Sequence, residues 1–360
     1  MKATTRLYEA GQSLWLDNIT RTLLESGGLA RYIKDLGITG LTSNPTIFDQ
    51  AIRGGSEYDA AIRARPAGTS DEDLFLELAL EDLTRAADLF RPAHTATHGV
   101  DGWVSLEVSP KLAYDTARTV AAARELHARA GRPNLFIKIP GTPEGVPAIE
   151  EAIFAGVPVN VTLLFSCEQY VAAAEAYLRG IERRLAAGLD PAVASVASLF
   201  ISRWDVAIAG KVPADLDHRL GIAVARRTYR AYRALLDSDR WLRLLNRGAR
   251  AQRLLWASTG TKDPKAPDTL YVTALAAPHT INTLPEKTLH ALADHGEVGD
   301  MMAADGGDAE QTLGRFRAAG VDPDALALDL QKKGAAAFVT SWDSLLACVA
   351  EKHASLRRAG

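Results

Sequence analysis

Eight short runs rich in valine, isoleucine and leucine, set among longer helical stretches, most narrow the folds open to this 360-residue chain. The runs are "SLWLD" (Ser13–Asp17), "ITGLTSN" (Ile38–Asn44), "GWVSLEV" (Gly102–Val108), "LFIKI" (Leu135–Ile139), "VPVNVTLLF" (Val157–Phe165), "ASVASLF" (Ala194–Phe200), "RLLWAST" (Arg253–Thr259) and "TLYVTAL" (Thr269–Leu275). Helical patterns follow the first, third and fifth. The helix after the third run is expected to start at Pro110 and to end at Gly131. Residues 45–100 read as about two helices and residues 205–250 as another, arginine-rich pair. The link around Lys262–Asp268 is too short for a full helix, which is the one irregularity.

Alternation of strand and helix implies right-handed crossovers and a parallel sheet. Eight strands favour closure into a (β/α)8 TIM barrel with long helical insertions. A doubly wound open sheet is the runner-up, and no glycine-rich nucleotide loop follows the first strand to support it. Residues 1–304 are expected to form the barrel. Residues 305–360 read as a helical C-terminal extension packed on it within the same domain. Phe338, Trp342, Leu345, Leu346 and Val349 recur there at helical spacing, as a face against the barrel would.

A net charge of -3 gives no electrostatic case for nucleic acid or an acidic membrane surface. Cys167 and Cys348 are too few and too far apart for a disulfide framework or a metal-ligand spacing. The first residues lack an apolar core of signal-peptide length, and no run reaches the roughly 18 apolar residues of a membrane span. A cytoplasmic protein, monomeric or homodimeric, is expected.

The polar residues within these strands carry the functional reading. A barrel strand alternates its side chains between the lumen and the helices, and barrel enzymes keep their sites at the C-terminal mouth. Asp17 ends the first strand, and Thr42 and Asn44 end the second. Ser105 and Glu107 lie on the third, Lys138 on the fourth, Asn160 and Thr162 on the fifth and Ser198 on the sixth. The i, i+2 pairs each share one face of a strand. Each residue has a plainer use alone. Asp17 suits a helix cap, Asn44 before Pro45 a turn, and Glu107 an ion pair with a helix. Lys138 suits a structural partner for a carboxylate. Six strands bringing polar groups to corresponding positions favour a shared site.

"GLTSNPTIF" (Gly40–Phe48), "FIKIPGTPEG" (Phe136–Gly145) and "PVNVTLLFS" (Pro158–Ser166), together with "GWVSLEVSP" and "SLFISR", resemble the transaldolase family in their order along the chain. The long connections and helical tail are similar to its longer bacterial branch. The resemblance implies a (β/α)8 fold with no metal or organic cofactor. It implies transfer of a dihydroxyacetone unit in the non-oxidative pentose phosphate pathway. The donor would be sedoheptulose 7-phosphate or fructose 6-phosphate, and the acceptor glyceraldehyde 3-phosphate or erythrose 4-phosphate. By the same resemblance Lys138 stands at the Schiff-base lysine, and Asp17 and Glu107 at the catalytic acid/bases. Asn44 and Asn160 stand at the asparagines that hold the carbon chain, with Thr42, Ser105 and Thr162 as neighbouring supports. Ser198 and Arg203 match positions that hold the phosphate. The chain departs from shorter members after the seventh strand, where "WASTGTKDP" has no arginine. Lys262 would serve there as a point charge, with Ser258 nearby.

This chemistry accounts for a lysine inside an apolar strand. The amine must be neutral to attack a ketone, and an exposed lysine is neutral at pH 7 about once in a few thousand molecules. Burial among apolar neighbours favours the neutral form, and nearby carboxylates oppose it. Three other functions share parts of this pattern. They are a Schiff-base aldolase releasing free dihydroxyacetone, a metal-dependent barrel using Asp17 and Glu107, and a non-catalytic sugar-phosphate binder. No histidine ends a core strand, and "HTATH" (His94, His98) is expected to be solvated in a connection.

Overall fold

The computed structural model describes residues 2–66 and 68–358. Eight parallel strands close into one barrel in sequence order, each hydrogen-bonded to the next and the last to the first. They are β1 (Gln12–Asp17), β2 (Gly40–Thr42), β3 (Trp103–Glu107), β4 (Leu135–Pro140), β5 (Val159–Leu164), β6 (Ser195–Phe200), β7 (Gln252–Ala257) and β8 (Thr280–Leu284). The lumen and the helical ring cover both faces. This is why these strands read as nearly unbroken apolar runs.

Seven strands lie where the sequence places them, within a few residues. The eighth does not. "TLYVTAL" contains a short helix, Leu270–Ala274, in the connection between β7 and β8, and "TINTL" forms β8. Tyr271 and Val272 are buried because this helix packs inward, and their bulk imitates a strand in the sequence. The change removes the irregularity noted above, since the connection after β7 now contains its helix. Two smaller corrections concern helices. Pro110 opens a 3-10 turn, Pro110–Leu112, and the long helix begins at Thr116 behind an Asp115 cap. Residues 45–100 hold three helices, Pro45–Gly54, Asp59–Arg63 and Asp71–Ala96. Gly131 ends its helix in the left-handed region, at φ 56°, as expected.

The turn after β4 admits little variation. A Cβ at Gly145 would lie 1.8 Å from the Pro140 carbonyl oxygen, so only glycine fits. Thr142 Oγ1 accepts from the Gly145 amide at 3.0 Å and starts the next helix.

The C-terminal helix, Pro323–Arg358, spans 36 residues and crosses the C-terminal mouth of the barrel. Trp342, Leu345 and Val349 are buried, with Trp342 edge-on to Phe75 at 5.1 Å. Gln331, 5% exposed, reaches into the barrel end. Its amide donates to the carbonyls of Gly141 and Leu163, each at 2.9 Å. Leu163 has φ +59° where the register between β5 and β6 slips. A β-branched or bulky side chain rarely accepts that conformation, so Gln331 braces a bulge at the edge of the mouth.

Candidate active site

Barrel register aligns the polar residues before any side chain is considered. Glu107 is paired with Lys138, and Lys138 with Asn160, so one row crosses β3, β4 and β5. Asp17 is paired with Thr42 across β1 and β2. Lys138 is 7% exposed. Its amine is hydrogen-bonded to the Glu107 carboxylate and donates to the Ser43 carbonyl at 2.9 Å. Burial pushes the Glu107 carboxyl above its ordinary range. Lys138 opposes this shift and the charge of Asp17 adds to it.

Asp17 lies across the same hollow. Burial raises its pKa as well, against Lys138, the Thr42 hydroxyl, Lys262 and the Asn44 amide. Thr42 donates to Asp17 Oδ1 at 2.8 Å. Asn44 has a plain structural use too, a helix cap rather than the turn expected: its Oδ1 accepts from the Ile47 amide at 3.1 Å at the start of the helix Pro45–Gly54. A buried chain runs from Ser198, which donates to Asn160 Oδ1 at 2.7 Å, to Asn160, which donates to Ser105 Oγ at 3.0 Å. Thr162 keeps a buried hydroxyl with no partner among the described residues.

These groups surround a cavity of about 340 Å³. Asp17, Thr42, Asn44, Lys138, Thr162 and Ser198 line it, with Arg203 and Lys262 at its rim. Arg203 is held between aromatic faces, 5.2 Å from the Phe200 centroid and 6.0 Å from that of Phe338. No carboxylate among the described residues pairs with it, and burial lowers its pKa. A desolvated cation without a counter-ion, at the rim of a polar cavity, is a place for an anion. Two larger hollows, about 660 and 750 Å³, lie elsewhere. One is lined by loops and helices on the barrel's flank, and the other opens at its N-terminal end. Neither gathers residues from the C-terminal strand ends.

Every residue singled out in the sequence reaches the cavity or the hydrogen-bonded row beneath it. Four contributors were missed. Thr283 of β8 meets Thr42 Oγ to Oγ at 2.7 Å. Ser43 offers the lysine its backbone carbonyl. Phe338 and Ser341 come from the C-terminal helix, and Ser341 accepts from Thr46 at 3.1 Å across the cavity rim. Thr283 would have been found had "TINTL" been chosen as the eighth strand. Phe338 was noted only as part of a packing stripe. Of "HTATH", His98 is exposed in the connection as expected, and His94 needs a correction: it lies at the end of the helix Asp71–Ala96, half-buried, and packs edge-on against Trp103 at 5.0 Å.

A family model described as Transaldolase/Fructose-6-phosphate aldolase matches residues 14–349. The chain belongs to this family. Its relatives match along nearly the full length. A protein named Transaldolase from Saccharopolyspora erythraea is 46% identical over 96% of each chain. Another of that name from Thermobifida fusca is 46% identical over 97% of this chain and 98% of its own. Transaldolase 2 from a Nostoc species is 41% identical over 94% of each. The family match begins at Leu14, inside β1, and ends at Val349, inside the C-terminal helix. It therefore covers both the barrel and the helix that crosses its mouth.

Proposed function

We propose that the protein is a transaldolase, moving a dihydroxyacetone unit from a ketose phosphate to an aldose phosphate through a Schiff base on Lys138. The observation that carries this reading is the buried Lys138 amine, held between Glu107 and the Ser43 carbonyl at the floor of a cavity with an unpaired arginine on its rim. The names of the relatives support it. The donors are sedoheptulose 7-phosphate or fructose 6-phosphate, and the acceptors glyceraldehyde 3-phosphate or erythrose 4-phosphate. These belong to the non-oxidative pentose phosphate pathway in the cytoplasm. Among the described residues, no helix is long and apolar enough to cross a membrane.

The reaction follows from the placement of the groups. Glu107 takes a proton from the lysine, leaving a neutral amine. The raised proton affinity of a buried carboxyl assists this transfer. Lys138 Nζ attacks the ketone carbon C2, and loss of water from the carbinolamine gives the iminium. Glu107 moves the protons of that step. Asp17 then removes the proton of the C4 hydroxyl. The C3–C4 bond breaks, its electron pair enters the iminium, and the aldose phosphate departs as an aldehyde. The three-carbon enamine remains on Lys138 until an acceptor aldehyde arrives and the steps reverse. Asn44 and the free Thr162 hydroxyl face the hydroxyls of that unit beside Thr42 and Ser198, and Asn160 acts from the row beneath, where Ser198 and Ser105 hold its amide. Arg203 and Lys262 hold the phosphate.

Incubation with fructose 6-phosphate, borohydride reduction and peptide mass spectrometry test the covalent step. A three-carbon adduct on Lys138 is expected, and a folded protein without one would overturn the reading. Product formation that requires an acceptor distinguishes transfer from simple aldol cleavage. For the phosphate, Arg203→Met is expected to raise KM for fructose 6-phosphate about tenfold to a hundredfold, the worth of a hydrogen-bonded charge. An unchanged KM would remove Arg203 from that role.

A further inference from the structure

Thr283 was absent from the site expected of the sequence, and its surroundings give it a defined part. It is 3% exposed and lines the cavity together with Thr42, Lys138 and Ser198, so each even-numbered strand sends one polar side chain there. Its Oγ1 lies 2.7 Å from Thr42 Oγ1, and Thr42 Oγ1 donates to Asp17 Oδ1 at 2.8 Å. A threonine hydroxyl has one proton to give. That of Thr42 goes to the carboxylate, which when ionised can only accept. The proton in the contact between the two threonines is therefore the one on Thr283.

We propose that Thr283 is a positioning residue for Asp17: it donates to Thr42, fixes the direction of the Thr42 hydroxyl, and so holds the carboxylate with one oxygen engaged and the other turned to substrate. The proposal rests on the reading of Asp17 as the base that takes the C4 proton. Its geometry spans the seam of the barrel. β1 carries Asp17 and pairs with β2, which carries Thr42, on one side and with β8, which carries Thr283, on the other. The chain of two hydrogen bonds thus ties the orientation of the carboxylate to the closing of the barrel. Hydrogen bonds in series polarise one another, which adds to the donor strength of Thr42.

Thr283→Val keeps the shape and removes the donor, whereas Thr283→Ser keeps the donor. In the valine protein kcat is expected to fall about fivefold to tenfold, the factor matching one net hydrogen bond. KM and the yield of borohydride-trapped donor on Lys138 are expected to stay close to native. The acidic limb of its kcat profile is expected at higher pH, because a less supported carboxylate holds its proton more tightly. The serine protein should recover most of the lost rate and the native profile. If the valine protein fails to fold, Thr283→Cys, of similar size with a much weaker donor, makes the same comparison. A folded valine or cysteine protein with native kcat and pH profile would overturn the proposal, as would a serine protein no better than valine. A native protein that traps no donor would overturn the reading of the site and this inference with it. A native protein that traps and transfers beside an unaffected valine variant overturns this inference alone.

Discussion

Lys138→Met is expected to leave a folded barrel with transfer activity reduced by at least about 10⁵-fold, because the covalent path disappears with the amine. The variant has a second consequence that a surface lysine would not produce. Glu107 loses the partner that holds its charge, and its side chain is only 11% exposed. Burial already raises the Glu107 pKa and Lys138 is the main influence opposing it, so removing the lysine raises it further. The carboxyl then binds its proton more tightly folded than unfolded. The unfolded chain binds fewer protons between the two pKa values, so stability is greatest at low pH and declines as pH rises through the folded value. Thermal midpoints from about pH 5 to 8 should fall with pH in Lys138→Met beyond any trend in the native protein. A flat difference would mean that Glu107 is not confined with the lysine as the geometry has it.

Asp17→Asn separates the two halves of the reaction. It should still form the Schiff base, since Lys138 and Glu107 remain. Cleavage and transfer should fall about 10²- to 10⁴-fold, the range general-base catalysis supplies. The decisive readout is mass. Borohydride reduction with fructose 6-phosphate should trap the whole hexose phosphate on Lys138 rather than the three-carbon unit. Persistence of the three-carbon adduct would transfer the base role to another group. Burial raises the Asp17 pKa against Lys138, Thr42, Lys262 and Asn44. The acidic limb of the native kcat profile should therefore lie above the ordinary carboxylate range, and in Asp17→Asn no limb from this group remains.

Much of this site was legible because a strand has period two. Ser105 with Glu107 and Asn160 with Thr162 declare a shared face wherever the strand ends, and parallel register does the rest. Boundaries were weaker. β2 keeps three residues of the seven assigned to it, since Asn44 leaves the ladder to cap a helix. The eighth strand was misplaced because "TLYVTAL" has the bulk of a strand and folds as a buried helical turn, whereas "TINTL" hides its lumen-facing Thr283 among other threonines. The parts that come from far along the chain were illegible for a different reason. Phe338 obeys a helical spacing that says it packs, and no local pattern says that it packs over Arg203. Likewise the two carbonyls to which the Gln331 amide donates lie 190 and 168 residues away.

The row Glu107–Lys138–Asn160 is set by hydrogen-bonded neighbours in the barrel wall, whereas Lys262 sits on a connection beyond β7. On the proposed reading, bond making and substrate choice are mounted on parts with unequal freedom to drift. Spacing within the wall is a lattice constant of roughly 4.8 Å, which mutation cannot retune without dismantling the sheet. The rim can exchange an arginine for a lysine, shift a loop or lengthen a connection and leave the lysine chemistry intact. Descendants of such a barrel would diversify from the edge inward, keeping an old reaction while changing which phosphorylated sugars, and which acceptors, gain entry to it.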